Sequence, residues 1–362
     1  MFEKFGNLFK IRAKKFLGVD IGTSAVRLVE LGKNGKFYKL ENYGEIKSSS
    51  IKKRPFRVFQ ENTLSLSNKQ VAKAIQAICQ EAEIKTREVS FAIPDFCSFF
   101  TSFELPEMAK DEIPQAIQYE VRPYIPLPLE EVTLDWTIIG GEVSKTPLKL
   151  LVVAIPNDVI VQYQEIAQIA GLELKTLESE VFALARSLSK SKENEKILGL
   201  VDIGARSTTC SILEKGILKT SYSFNIAGNE LTDVIANSLN IDYNEAENRK
   251  RKYGLVLNEE ENKQNNIRKI LIPLIDSILE EIKKAFRNFY LSEGKEVQEV
   301  ILAGGQILIP GLKEYFSTSL RKTVIIVDPF LDIKCPLPLT ETLKEIGPSF
   351  AIAVGLAMKG LE

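Results

Sequence analysis

A chain that twice carries the same acidic turn at the end of an apolar strand is constrained to fold as two related halves. The first copy is Phe16-Leu17-Gly18-Val19-Asp20-Ile21-Gly22-Thr23-Ser24. The second, about half a chain later, is Leu198-Gly199-Leu200-Val201-Asp202-Ile203-Gly204-Ala205-Arg206-Ser207-Thr208. Each delivers an Asp-Ile-Gly from an apolar run, then small hydroxyl residues, then another alternating run. Two such turns facing each other would close on one phosphorylated ligand.

The surroundings of the two copies repeat as well. Period-two alternation predicts strands over 16–20, 25–31 and 37–46, with Asn34-Gly35 as a hairpin turn between the last two. Ser67 caps a helix predicted to run to about Glu83, with Val71, Ala74, Ile75 and Ile78 on one face. A strand follows at 89–94. The second copy predicts strands over 197–203, 208–213 and 217–224, a Lys215-Gly216 turn and a helix over 229–239. Strand, strand, strand, helix twice over is the signature of an internal duplication. Each turn lies between strands. A P-loop or a Rossmann glycine loop opens directly into a helix, so both are excluded.

Residues from about 96 to 171 read as an insertion. In it, Asp111 starts a helix with Ile113, Ala116, Ile117 and Val121 inward, Pro126 and Pro128 mark a loop, 132–138 and 148–155 are strands, and 159–170 is a helix. Residues 241–294 are charged and helical, and 267–290 carries a stripe of Leu271, Ile275, Ile278, Ile282, Phe286 and Phe289 that reads as core. The remainder predicts a strand over 297–302, a Gly304-Gly305 turn, a helix over 312–320, a strand over 324–327 and an apolar helix over 348–358. At the front, Phe2, Phe5, Leu8 and Phe9 recur at helical spacing among basic residues. That pattern fits a helix docked on a membrane or partner, a helix packed on its own domain, or a frayed terminus.

A turn that holds nucleotide phosphates needs inward-pointing N–H groups, small hydroxyls and a carboxylate for Mg²⁺, which sheds its waters reluctantly. Gly22, Thr23 and Ser24 supply the first two in one half, and Gly204, Ser207 and Thr208 in the other; Asp20 and Asp202 are the candidate metal ligands. Arg27, on the strand leaving the first turn, is placed to reach a phosphate. Ile301-Leu302-Ala303-Gly304-Gly305-Gln306 is a strand into a double-glycine turn that lets a flat base or ribose approach. Glu247 and Lys250 share a helix face, where a carboxylate can bond ribose hydroxyls. Glu178 and Glu180 precede the apolar helix 181–186, and one of them, with Glu180 the choice, is a candidate for positioning a water near a terminal phosphate.

Composition removes competing chemistries. The sequence has no histidine, which excludes Ser-His and Cys-His nucleophile systems. Its four cysteines form no CxxC pair and predict neither structural zinc nor a disulfide framework, in keeping with a reducing compartment. A net charge of −1 provides no global field for nucleic acid. No apolar run reaches the roughly 20 residues a membrane span needs.

In order, these motifs resemble the phosphate-1, connect-1, phosphate-2 and adenosine motifs of the actin/Hsp70/sugar-kinase superfamily: Asp20 to Arg27, Glu180 to Ala185, Asp202 to Thr208 and Leu302 to Gln306. The insertion, together with Ala227-Gly228-Asn229-Glu230-Leu231-Thr232, resembles the FtsA branch. Leu105-Pro106-Glu107-Met108, Tyr124-Ile125-Pro126-Leu127-Pro128-Leu129-Glu130-Glu131-Val132 and Leu134-Asp135-Trp136 are most similar to the PilM family of type IV pilus assembly. The resemblance implies an α/β, two-lobed, actin-like (ribonuclease H-like) ATPase fold with an FtsA-type 1C insertion. It implies a basic segment at 1–15, subdomain 1A at 16–95 and 172–195, 1C at 96–171, 2A at 196–240 and 295–362, and 2B at 241–294. It implies ATP and Mg²⁺ in the cleft, with Glu247, Lys250, Gly304 and Gly305 at the nucleoside, Gly228 and Gln306 also binding nucleotide, and Lys283 or Lys284 flanking the base. Hydrolysis would be slow at most. The implied partners are the short N-terminal tail of a PilN-type inner-membrane protein, in a 1A/1C groove, and other pilus machinery, with self-association also admitted and no nucleic acid. The implied location is cytoplasmic, peripheral at the inner membrane through partners. The sequence departs from the family in Arg27, where Lys is usual, in Arg206, which enlarges the second turn, and in Gln306, where a small residue is usual.

Two other readings compete. A small-molecule kinase of the superfamily needs an acceptor site, and no such motif lies between Asp20 and Asp202. An FtsA-like division or cytoskeletal filament carries a C-terminal membrane helix after a linker; here the apolar final helix runs almost to Glu362.

Overall fold

The computed structural model describes residues 14–47, 59–60, 63–64, 67–188, 196–256 and 267–362. The aromatic residues Phe2 to Phe9 singled out above lie outside them. The chain opens with β1 (Lys15–Ile21), β2 (Ala25–Asn34) and β3 (Phe37–Lys47). Two short strands, β4 (Phe59–Gln60) and β5 (Thr63–Leu64), pair with each other. Then come α1 (Asn68–Glu81), β6 (Glu88–Ile93), β7 (Phe99–Leu105), α2 (Ile113–Glu120), β8 (Val132–Gly140), β9 (Leu148–Pro156), α3 (Asn157–Ala170), β10 (Glu173–Ser179) and α4 (Glu180–Arg186). The second half contains β11 (Ile197–Ile203), β12 (Thr208–Glu214), β13 (Ile217–Phe224), α5 (Gly228–Leu239), α6 (Tyr243–Tyr253) and α7 (Ile267–Glu293). It ends with β14 (Glu299–Ala303), α8 (Leu312–Leu320), β15 (Thr323–Ile326), β16 (Ile333–Lys334) and α9 (Thr340–Lys359).

The duplication is explicit in the sheets. In the first half the strand order is β10-β6-β1-β2-β3-β16, and in the second β13-β12-β11-β14-β15. Each Asp-Ile-Gly strand pairs antiparallel with the strand that follows it and parallel with a later one: β1 with β2 and β6, β11 with β12 and β14. The two turns have the same bond, Gly22 N–H to the Ala25 carbonyl and Gly204 N–H to the Ser207 carbonyl, each at 3.0 Å.

Side-chain alternation then decides where the aspartates point. On β1, Leu17, Val19 and Ile21 face α1 and α3, whose Val71, Ile75, Tyr163 and Ile166 complete that core. Phe16 and Gly18 face the other way, onto α9. On β11, Val201 and Ile203 join the core beneath α5 and α7, while Leu198 and Leu200 face a layer made with α4 and α9. Asp20 and Asp202 continue the inner-facing series. The result is helices, sheet, central helices, sheet, helices, with both carboxylates aimed at the central layer.

That layer is tight. A Cβ on Gly355 of α9 would overlap the Ala183 backbone of α4. In a free helix Gly→Ala gains about 1 kcal/mol, whereas overpacking a core costs about 1–3 kcal/mol or more. Backbone cannot move aside as a side chain can, so the second effect wins. Gly355→Ala is expected to lower the thermal midpoint read by circular dichroism; a raised midpoint would refute the close α4–α9 packing.

The structure also corrects several expectations. Strands β7 and β10 form where none was predicted. Helix α2 begins at Ile113, with Glu112 as its cap residue and Pro114 in its first turn, so Asp111 does not cap it. Helix α9 begins at Thr340, and Pro348 lies inside it. Helix α3, assigned by sequence to the 96–171 insertion, packs with α1 on the first sheet, apart from the rest of that segment. The core of the rest is the β7-β9-β8 sheet closed by Ile113, Ile117 and Val121.

Candidate functional site

Both aspartates open on one narrow inner cavity of about 70 Å³ between the halves. Gly22, Thr23, Ser24 and Arg27 line it from the first turn; Gly204, Ala205, Arg206 and Ser207 line it from the second; Glu180 and Leu184 come from α4. Gly304, Gly305 and Gln306 close a third side, and Pro348, Ser349 and Ile352 of α9 a fourth. Gly304 has φ +91, and a Cβ there would overlap Asp202 and the Ile203 carbonyl, so a side chain is excluded by both strain and space.

A wider mouth of about 490 Å³ adjoins it. The two share Ser24, Arg27, Ala205, Gly305, Gln306 and Ser349. The mouth adds Asn229 and one side of α6, with Tyr243, Asn244, Glu247, Asn248 and Arg251. The Tyr243 hydroxyl donates to Asn229 Oδ1 at 3.0 Å.

The electrostatics of the inner cavity are unusual. Loss of hydration pushes Asp20 up to about 6; Arg27 opposes this and Glu45 adds to it. Asp202 is pushed up to about 7 by burial, with Asp20 adding and Arg27 opposing. Burial also lifts Glu180 well above the ordinary range, helped by Asp95, Asp20 and Asp202. Asp95 rises to about 8 through burial and Asp202, against the bond it accepts from Val181 N–H. Four carboxyl groups thus compete for too little positive charge. Asp20 Oδ1 is buried with no hydrogen-bond partner, while Oδ2 lies 3.9 Å from Arg27. A cation satisfies such a site. No group of three or more metal-capable side chains is assembled among the described residues.

Asp95 gave no sequence signal beyond following a proline. Its carboxylate accepts from Val181 N–H at 3.2 Å, and its own N–H donates to Glu180 Oε2 at 3.3 Å. The pair pins the first turn of α4 across 85 residues of chain, so Glu180 is held in place by a residue at the root of the insertion.

Some sequence candidates lie elsewhere. Thr208 is fully buried, and its hydroxyl donates to the Ile226 carbonyl at 2.7 Å, which makes it structural. Lys250 borders the mouth, but its ammonium is consumed: it donates to the Gly228 carbonyl at 2.9 Å, to Thr232 Oγ1 at 2.7 Å and to Glu247 at 2.7 Å. Gly228 is on neither cavity wall; its N–H reaches the Gly204 carbonyl and it packs against Gln306. Lys283 pairs with Glu280 at 2.9 Å on α7 and lines neither cavity. Arg27 reaches the cavity while bonded to Glu45 at 2.8 Å.

Two sheets of the same order, each ending a central strand in Asp-x-Gly over a shared cleft, define the actin-like class. MreB 5 of Spiroplasma citri, in a structure bound to AMPPNP, has this fold: TM-score 0.56 at 14% identity, over 96% of each chain. The chain belongs to the family of the type IV pilus assembly protein PilM, whose sequence profile matches residues 18–361. A PilM–PilN type IV pilus biogenesis complex contains a chain similar to this one at TM-score 0.84 and 26% identity, over 96% of this chain and 98% of that one. The cell division protein FtsA of Enterococcus faecalis is 23% identical over 333 residues, 82% of this chain and 74% of that protein. Against FtsA of Staphylococcus epidermidis the match spans about a fifth of that protein's length, 22%. No helix among the described residues is long and apolar enough to cross a membrane.

Proposed function

We propose that this protein is a nucleotide-binding scaffold of type IV pilus assembly that takes ATP with Mg²⁺ in its cleft and binds the N-terminal tail of a PilN-type inner-membrane protein. The observation that carries the reading is the PilM profile match, which runs through the insertion as well as the two phosphate-type turns. The likeness to a chain from a PilM–PilN complex supports the partner. An extended peptide lying in a groove is a common recognition mode. Location at the inner membrane would follow from the partner.

The donor set fits the ligand. Asp20 and Asp202 would hold Mg²⁺, largely through water, and the orphaned Asp20 Oδ1 supports this. When bound, the ion neutralises phosphate charge. Gly22, Thr23, Ser24, Gly204 and Ser207 would face the phosphates. The base and ribose would sit in the mouth, against Gly305, Gln306 and the α6 face of Glu247 and Asn248. Glu180, pinned by Asp95, would orient water near the terminal phosphate. Subdomain 1A would run over 16–95 and from about 157 to 195, with 1C between.

The test is fluorescence anisotropy of a labelled PilN-type tail peptide from the same genome, titrated with this protein with and without Mg²⁺-ATP. Saturable binding is expected. Absence of binding in both states would remove the scaffold reading. The overlap with FtsA over most of the chain then favours a filament, read as ATP-dependent light scattering.

A further inference from the structure

Two arginines stand at the inner cavity, one from each half, and they are held differently. Arg27 is tied to Glu45 and borders both the cavity and its mouth. Arg206 borders the inner cavity and is absent from the mouth, as are Phe96 and Glu180. Its guanidinium lies over the Phe96 ring, 4.7 Å from the centroid. Phe96 sits in the short helical turn Asp95–Cys97, between β6 and the first strand of the insertion. The contact therefore joins the second phosphate-type turn to the root of the insertion across the cleft, one residue from the Asp95–Glu180 pair.

The arrangement has a direction. A nucleoside fits the mouth and not the narrow inner cavity. Its phosphates would run inward past the shared residues Ser24 and Gly305, so the last of three would stand at the end formed by Phe96, Glu180 and Arg206. A guanidinium offers a flat fork that matches phosphate oxygens, and such charge-assisted bonds exceed a cation–π contact at a partly exposed site.

We propose that Arg206 is the residue that distinguishes a nucleoside triphosphate from a diphosphate, by exchanging its contact with Phe96 for the terminal phosphate. This rests on the nucleotide reading above. A diphosphate ends short of the inner end and leaves Arg206 on Phe96.

The test is isothermal titration calorimetry of the full chain with Mg²⁺-ATP and Mg²⁺-ADP. Arg206→Gln is expected to weaken ATP binding about tenfold or more, the scale of a lost bond to a charged group, and ADP binding no more than about twofold. Arg206→Lys keeps the charge and loses the fork, so it falls between wild type and Arg206→Gln and serves if the glutamine variant does not fold. Phe96→Leu removes the competing contact and is expected to tighten ATP binding by a few fold, with ADP unchanged. Equal weakening of both nucleotides by Arg206→Gln, as a merely structural role would give, overturns the assignment, and so does no effect on either. Wild type that binds neither nucleotide overturns the nucleotide reading itself, a result distinct from wild-type binding with an unaltered ATP/ADP ratio in the variants.

Discussion

Glu247→Ala is expected to lower the thermal midpoint by roughly 10 °C without touching the core. The reason is Lys250, which is fully buried at 0% exposure. Burial pulls its pKa below the ordinary lysine value, against the attraction of Glu247. Glu247 is partly open to water; burial raises it, and Lys250 outweighs this to hold it below the usual range. The desolvation cost therefore falls mainly on the lysine. Removing the carboxylate leaves that charge buried against the neutral Gly228 carbonyl and Thr232 hydroxyl, with the charge of Asp233 as a weaker partner. Breaking a buried pair from one side costs about 3–5 kcal/mol, whereas replacing both members by apolar groups is often neutral. The double variant Glu247→Ala/Lys250→Met should thus recover most of the loss. Differential scanning fluorimetry of the single and double variants decides it. A double variant no more stable than Glu247→Ala alone would show that Lys250 is not the cause.

This pair also shows what was legible in the sequence and what was not. The helix that brings Glu247 and Lys250 to one face was readable from their spacing. That the ammonium would be spent on a carbonyl and a hydroxyl of α5, 18 to 22 residues earlier, was not. The same divide recurs. Strands β1 and β11 announce themselves because each is buried on both faces and followed by a turn that few residues can make. Strand β10 reads Glu-Leu-Lys-Thr-Leu-Glu-Ser; it is a half-exposed edge strand with no apolar alternation to find. Strand β7, also at a sheet edge, does alternate, with Phe103 and Leu105 buried and Ser102 and Glu104 exposed, but over too few residues to stand out. Pro348 concealed the first two turns of α9, since proline inside a helix removes a bond and usually ends it. Here Gly304 N–H bonds the Pro348 carbonyl, so the interruption lies against the double-glycine turn at the cavity. Asp95 and Phe96 were invisible for another reason. Their partners Val181 and Arg206 are 86 and 110 residues away, and nothing local encodes the meeting.

Asp202→Asn is expected to do two opposite things, and the second identifies the first. With Asp20 it is the charge proposed to hold Mg²⁺, so the variant should lose Mg²⁺-ATP binding by about a hundredfold, and with it the stabilisation of about 2–3 kcal/mol that ligand at a hundred times its dissociation constant confers. Without ligand the sign reverses. Burial raises Asp202 from 3.8 to about 7, so between those values the unfolded chain is ionised while the folded one keeps its proton. The folded state then binds more protons, and stability falls as pH rises through that window. Above about pH 7 the folded protein carries a poorly hydrated carboxylate beside Asp20, a penalty on the order of a few kcal/mol. Asparagine cannot ionise. The variant should therefore match wild type near pH 4 and melt above it at pH 8, until Mg²⁺-ATP is added and the order inverts. Melting curves at pH 4, 6 and 8 with and without Mg²⁺-ATP read both effects. If the variant melts below wild type at pH 8 without ligand, Asp202 is already neutralised by the protein itself and is not waiting for a metal ion. If it melts higher and still gains as much from Mg²⁺-ATP as wild type does, the carboxylate is strained but the ion sits elsewhere. The expected crossing requires that the strain exists and that the ligand relieves it, which is how a site that destabilises the empty fold is maintained by what it binds.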